Sequence, residues 1–427
     1  MSKFQIILLG IFGFFIIAGV FIFSTSRGSS TGTARLTMWG PVSSFALGPI
    51  TQAPEFKTAG ITLTYVEKPA ATFVTDLTEA LAEGRGPDMV IFTQDQLWQL
   101  HNKLALIPFS SVSLNDYSSS FIDEANLFAT SNGLYALPLV VDPMVLYSNK
   151  DLLNNAGLAV PLKYWDQIYT YISSLTQKDA AGNITQSTIA LGEARNIPHY
   201  KDILTLLMLQ AGTPITAYQG GELHSQLLNR YNFPSVPSDS ALDFYTQFAN
   251  PAKPFYSWNR SLTDALTSFL SGDSAFYLGF ASEEQSLRSK NPNLNIGVSA
   301  VPQSRVAAKS TTFATLYGIG IVKNSPGAAS AMTAAGLLVS QTNNNALAKT
   351  LGLAPARRDL LASKPSDGVQ ALYYDAAIQA QGWIDPNPTK TKQAFADLID
   401  AVTSGREQIG VALGDTDDTL DTLINAQ

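Results

Sequence analysis

The chain has no cysteine, and among its 427 residues there are only three histidines, His101, His199 and His224. The first absence removes disulfides, thiolate metal ligands, cysteine nucleophiles and a lipid-modified N-terminal cysteine. The histidines are too far apart in sequence to suggest a metal motif, and no metal or cofactor is expected. Charge is scarce as well: Asp, Glu, Lys and Arg make up 14% of the residues, against about 25% in an ordinary soluble domain. Ser, Thr, Asn and Gln fill the deficit. The 27 basic and 34 acidic residues give a formal charge of −7 with no basic run, which disfavours a nucleic-acid partner. Neither G-x-S-x-G nor H-E-x-x-H occurs, and no internal repeat is present.

What is present begins with an apolar run. Phe4 to Phe23 contains Gln5 as its single strongly polar residue, and about 20 such residues suffice to cross a bilayer as a helix. The run is longer than the apolar region of most signal peptides, and no A-x-A-like site closes it. An uncleaved transmembrane anchor is therefore the expectation, with a cleaved signal and a secreted product as the alternative. A Gly/Ser/Thr linker, GSSTGTA, follows and leads to a polar chain placed outside the membrane.

Beyond the linker, strand and helix signals alternate. Ala34 to Trp39 and Ile61 to Val66 read as strands, Thr72 to Glu83 as an amphipathic helix, and Met89 to Phe92 as a buried strand. This order predicts an α/β domain whose parallel sheet is covered on both faces, with ligands outside the carboxyl ends of the strands. Trp39, the Thr93–Gln96 loop and Asp142 fall at such ends. Asp142 draws attention because it lies between two strand-like pieces, Tyr135 to Val141 and Val145 to Tyr147, broken by Asp142-Pro143. A carboxylate there is either a hydrogen-bonded turn residue or a group facing a cleft.

Seven segments in one order carry a resemblance: LTMWG, GRGPDMVIFTQDQLWQLHNKLALIPF, GLYALPLVVDPMVLYSNKDLLNNAGL, FLSGDSAFYLGF, YGIGIVKNSPGAASAMTAAGLLVS, GLAPARRDLL and SGREQIGVAL. In content and order, from about Leu36 to Ile424, the chain resembles the family 1 extracellular solute-binding proteins, the sugar- and maltodextrin-binding components of ABC importers. The resemblance implies an α/β, two-lobe, periplasmic-binding-protein-like fold of type II, with mixed sheets flanked by helices and a hinge between the lobes. Residues 1–33 would be anchor and linker, 34–143 with 299–340 the first lobe, and 144–298 with 341–427 the second. It also implies a monomer that captures a small sugar-like solute in the interlobe cleft and hands it to an ABC permease, with no enzymatic activity. The chain would cross between lobes just after Asp142, near Asn295 to Val298, and near Ser340.

By position in the family pattern, Asp142 and Asp95 are the expected carboxylates for solute hydroxyls, and Asn196, His199, Tyr200 and Tyr317 the expected neighbours in the cleft. Asp95 also stands where it could cap a helix. Sugar binders set aromatic faces against the apolar faces of pyranose rings, which makes Trp39, Trp258 and Trp383 candidates. Core packing competes with that role for Trp258, and surface or lobe packing for Trp383. Some family features are missing: Phe280-Ala281-Ser282 stands where maltodextrin binders carry a tryptophan, and an acidic-basic pair at the first helix is replaced by Ser43 and Ser44. Maltose itself is therefore not expected. Two other classes remain open, a membrane-tethered carbohydrate hydrolase using Asp95 and Asp142 as paired acids, and an adhesion or sensor module without transport.

Overall fold

The computed structural model describes residues 33–158, 160–307 and 309–426. The expected membrane anchor, Phe4 to Phe23, lies outside them. No helix among the described residues is long and apolar enough to cross a membrane.

One hydrogen-bonded sheet organises the chain. Its main strands are β1 (Ala34–Gly40), β2 (Ile61–Glu67), β3 (Met89–Thr93), β4 (Leu137–Asn149), β5 (Ile184–Ile189), β6 (Ser274–Phe280), β7 (Ile296–Ala300) and β8 (Thr312–Val322). They run in the order β2-β1-β3-β8-β4-β6-β5, and β7 pairs with β4 as an additional partner. β1 is parallel to β2 and to β3, as strand-helix-strand order requires. The expected all-parallel sheet stops there, because β8 arrives from the other end of the chain and runs antiparallel to both β3 and β4. The sheet is mixed.

The thirteen residues of β4 form one unbroken strand, buried along its whole length, where the sequence suggests two pieces. Its first half, through Pro143, pairs with β8, with Thr315 opposite Asp142 and Ala314 opposite Pro143. Its second half, from Met144, pairs with β6 and, from Val145, also with β7. Proline cannot donate to a ladder and ordinarily interrupts a central strand. Here Pro143 falls where β4 changes partners, so the missing donor does not break a ladder in mid-course. Each fully buried Val or Leu of this strand contributes about 1.5–3 kcal/mol relative to exposure, which favours the continuous form.

The helices that position functional side chains are α1 (Ser44–Thr51), α2 (Phe73–Ala82), α3 (Tyr200–Ala211), α4 (Gln341–Leu351) and α5 (Pro388–Thr403). In α2, Phe73 and Leu77 are one turn apart and both buried, the i, i+4 pattern that locates a helix in sequence. α3 is buried on nearly all sides and ends at Gly212, whose φ of 103° is a left-handed cap. Asn149 closes β4 and caps the next helix: its Oδ1 accepts from the backbone N–H of Asp151 at 3.0 Å and of Leu152 at 3.3 Å. That is a scaffold role.

Strand pairing and helix packing continue through two of the places where a passage between lobes is expected. β7, which holds residues 296–298, pairs with residues 145–149 of β4. α4 packs on α1 and on β4, and Ala354-Pro355 pairs with Val141 and Val140. Arg358 also reaches back to Asp123 at 2.5 Å. The chain from Ser340 to Arg358 thus packs against the first half of the sheet. Short helices and small strands give no local sign of which half they will cover; long-range pairing decides it.

Candidate functional site

The point where β4 changes partners gathers most of the ionisable groups of interest. Asp142 is only 5% exposed, and its Oδ1 accepts the backbone N–H of Ser282 at 3.0 Å. Burial pushes its pKa up to about 6, partly offset by the Ser282 hydrogen bonds; Glu283 adds to the rise and His199 opposes it. Ser282 belongs to a single turn of 3-10 helix, Ala281–Glu283, that follows β6. A β4 carboxylate is thus held by the loop after a strand from the other half of the sheet.

Asp95 comes from the turn after β3. Thr93, not Asp95, is the N-cap, and the Thr93 hydroxyl donates to the Asp95 carboxylate. Burial raises the Asp95 pKa; Thr93 counters it, while Asp385 raises it further, Lys201 lowers it and Asp202 raises it. Tyr317 on β8 lies opposite Thr93 and is half-buried. Its hydroxyl is made much less acidic by burial and then by the charges of Asp142 and Asp95, so Tyr317 stands within electrostatic reach of both acids. Tyr65 adjoins it, with its hydroxyl on the carbonyls of Gly40 at 2.7 Å and Val42 at 2.6 Å.

His199 faces this group from the loop before α3. Its Nε2 lies 2.9 Å from Glu283 Oε1 and its Nδ1 3.5 Å from Asp202 Oδ2. Burial alone would lower its pKa; the two carboxylates outweigh that and hold it at about 10. Glu283 in turn accepts from Phe280 N–H at 2.7 Å and from the Tyr277 hydroxyl at 2.8 Å. Gly279 makes this possible: a Cβ there would lie 2.6 Å from the Tyr277 ring and 2.8 Å from Glu283 Oε1. Behind His199, Lys201 pairs with the fully buried Asp385 and donates to Thr391 Oγ1 at 2.9 Å. Five carboxylates, Asp95, Asp142, Asp202, Glu283 and Asp385, thus face two cations, His199 and Lys201. The local field is acidic.

The remaining expected site residues divide. Trp39, half-buried at the end of β1, carries the Lys68 ammonium 4.0 Å over its ring. Trp258 is fully buried. Its indole N–H donates to Asn196 Oδ1 at 3.0 Å, while Asn196 Nδ2 donates to the carbonyls of Asn259 and Leu262, each at 3.0 Å. These contacts brace the Trp258–Leu262 loop against Asn196. Tyr200 is buried, and its hydroxyl donates to the Lys392 carbonyl at 2.6 Å, tying α3 to α5. Trp383 is 2% exposed, next to Phe395 and under Lys201. Tyr200 at the start of α3 and Trp383 in its loop are thus both held in packing contacts.

Sequence reasoning misses Glu283, Asp202, Lys201, Asp385 and Ser282. One signal exists for Glu283: it stands three residues after Phe280 at the start of a helical turn, the spacing at which a side chain reaches back to a cap N–H. Among the described residues no group of three or more His, Asp or Glu side chains is arranged to hold a metal ion.

The chain thus combines a mixed α/β sheet, whose halves share one central strand, with an acidic, hydrogen-bonding cluster at that strand. The profile of bacterial extracellular solute-binding proteins matches residues 51–371, and the chain belongs to that family. Curated relatives named only as binding proteins, from Brucella abortus (strain 2308) and Brucella suis biovar 1 (strain 1330), are 25% identical over 158 residues, which is 36% of this chain. The match spans 38% of the length of those relatives. A solved structure, a cyclo/maltodextrin-binding protein complexed with maltotetraose, has a TM-score of 0.73 and 18% identity, covering 94% of this chain and 98% of that one. That likeness establishes the fold.

Proposed function

We propose that this protein is the extracytoplasmic solute-capturing subunit of an ABC importer, and that it takes a neutral, hydroxyl-rich solute of the sugar class. The observation that carries the proposal is the convergence of Asp95, Asp142 and Tyr317 where β4 passes from one half of the sheet to the other. Carboxylates accept strongly from solute hydroxyls, the Tyr317 phenol adds a donor-acceptor, and the half-buried rings of Tyr317, Trp39 and Phe280 offer apolar faces for the C–H side of a pyranose. The surplus of acids over cations disfavours anionic solutes. The maltotetraose-bound neighbour supports the sugar class by analogy of fold.

The two halves act as lobes. Residues 34–143 with about 301–362 form one, and 144–300 with about 363–426 the other. Asp95 and Tyr317 belong to the first lobe, His199 and Glu283 to the second, and Asp142 to the strand that joins them. A solute bridging the lobes favours the closed form by its differential contacts, and the closed form is what a permease recognises. The chain acts as a monomer, tethered by the Phe4 to Phe23 segment through its flexible linker.

The test is a titration of the intrinsic tryptophan fluorescence of purified protein with a panel of mono- and oligosaccharides and polyols, together with native mass spectrometry of co-purified ligand. Saturable binding with no new product supports capture. Release of product from an aryl glycoside would instead assign Asp95 and Asp142 to hydrolysis, and silence across the whole panel would remove the sugar class.

A further inference from the structure

The number of sugar rings that the solute site can hold is limited by the aromatic faces left to it. Each further ring of an oligosaccharide needs a further apolar face to rest on. Trp258 is fully buried, Trp383 is 2% exposed beneath the Lys201 ammonium, and Tyr200 is buried with its hydroxyl on the Lys392 carbonyl. These three offer no open face to solute. On Trp39, itself half-buried, the Lys68 ammonium stands 4.0 Å from the ring centre and occupies one face.

Tyr317 and Phe280 are different. Both rings are half-buried and both adjoin Asp142, whose charge acts on the Tyr317 hydroxyl and whose Oδ1 accepts from Ser282, two residues after Phe280. Each is also locked in place. The pairing of β8 with β4 shifts register between Leu316 and Gly318, and Tyr317 stands at that irregularity, a device that re-aims a side chain. Gln94, 1% exposed, holds the strand just before it, donating to the Ala314 carbonyl at 3.1 Å and accepting the Leu316 N–H at 2.7 Å. Phe280 is fixed through its own backbone, its N–H on Glu283 at 2.7 Å and its carbonyl on the Tyr147 hydroxyl at 2.7 Å. Its ring meets His199 at 5.1 Å and Phe313 at 6.1 Å between centres. Rings held this firmly lose little freedom when solute arrives.

Resting on the sugar-class reading of this site, we propose that it holds a single ring, a monosaccharide or cyclic polyol clasped by Tyr317 from the first lobe and Phe280 from the second, and not a chain of sugars. One face from each lobe suits one ring, because closure then buries both sides of the same solute. Ser282 holds one oxygen of Asp142 and Thr93 one of Asp95, so both carboxylates are oriented before a hydroxyl reaches them. A second ring is left with Trp39, beneath Lys68, or with Phe45, an 81% exposed ring in the first turn of α1.

Matched single-ring and oligomeric probes decide the matter by calorimetry on the full chain, purified in a detergent without a sugar headgroup. They are glucose with maltose, cellobiose and maltotetraose, xylose with xylotetraose, mannose with mannotetraose, and myo-inositol. At least one single-ring probe should saturate one-to-one, at least tenfold tighter than any oligosaccharide in the set. For that probe Tyr317→Ala and Phe280→Ala should each lose at least tenfold in affinity, while Phe45→Ala should stay within twofold. An oligosaccharide that binds as tightly as its monosaccharide, a loss in Phe45→Ala, or wild-type affinity in Tyr317→Ala or Phe280→Ala overturns the single-ring site and leaves the sugar class standing. Silence of every probe overturns both. If Tyr317→Ala and Phe280→Ala do not fold, the ratio of single-ring to oligomer affinity on the wild-type chain decides alone.

Discussion

Asp142→Asn should make the solute-free protein more stable at neutral pH while weakening its hold on solute. In the folded chain the Asp142 pKa stands at about 6 against an ordinary 3.8, so the native state binds the proton more tightly than the unfolded state does. Between those two values the native state carries the extra proton, and the stability contributed by this group falls as pH rises. One pKa unit corresponds to about 1.36 kcal/mol, so a shift of roughly two units costs the wild type about 3 kcal/mol above pH 7. Asparagine removes the cost and can still accept the Ser282 N–H at 3.0 Å. With an unfolding entropy of about 2.1 cal/mol/K per residue, the gain for a chain of this size corresponds to about 3–4 °C in Tm. Differential scanning calorimetry of both proteins from pH 3.5 to 8 provides the test: the two Tm curves should coincide near pH 3.5, diverge between pH 4 and 6, and run parallel above pH 7. A variant that gains nothing at pH 7.5, or a gap between the curves that does not change with pH, refutes this account of Asp142. Solute affinity at pH 7.5 should fall at least tenfold in the same variant, separating the functional role of the carboxylate from its stability cost.

His199 behaves in the opposite sense. Its pKa is raised from 6.5 to about 10, so its stabilisation is complete below about pH 6.5 and is lost as pH rises through 10; His199→Gln should flatten that alkaline decline in a thermal-melt series. Gly279→Ala should cost about 1–3 kcal/mol by urea unfolding, because the new methyl would lie 2.6 Å from the Tyr277 ring, and a change below 0.5 kcal/mol would show that the loop yields freely. Asn196→Ala should cost about 1–3 kcal/mol by leaving the buried Trp258 indole without an acceptor, with solute affinity of the folded fraction unchanged; a selective loss of affinity would return Asn196 to the solute site.

Local pattern makes several elements legible in the sequence. Phe73 and Leu77 announce their helix by spacing, and Gly212 announces the end of α3, where it adopts positive φ. Asp142 stands out because it and Pro143 interrupt a strand-like run, and Asp95 because of its position in the family pattern. For the loop tryptophans the sequence leaves cleft and packing both open. Contacts from other segments, Asn196 for Trp258 and Phe395 for Trp383, accompany the burial of both rings. Glu283 and Lys201 escape notice because each looks like an ordinary surface charge until His199 or Asp385 is brought against it.

The alternation of strands and helices in the first part of the chain follows from local pattern, because periodicity, caps and turns act over a few residues, whereas the two-lobe class and a crossing just after Asp142 rest on the family resemblance. Long-range packing set the rest. It made β4 continuous through Pro143, sent α4 back onto α1, and gathered five carboxylates and two cations from segments up to some 290 positions apart, Asp95 to Asp385. Burial and charge are properties of what surrounds a side chain, and in a folded chain most of those surroundings come from far away in sequence.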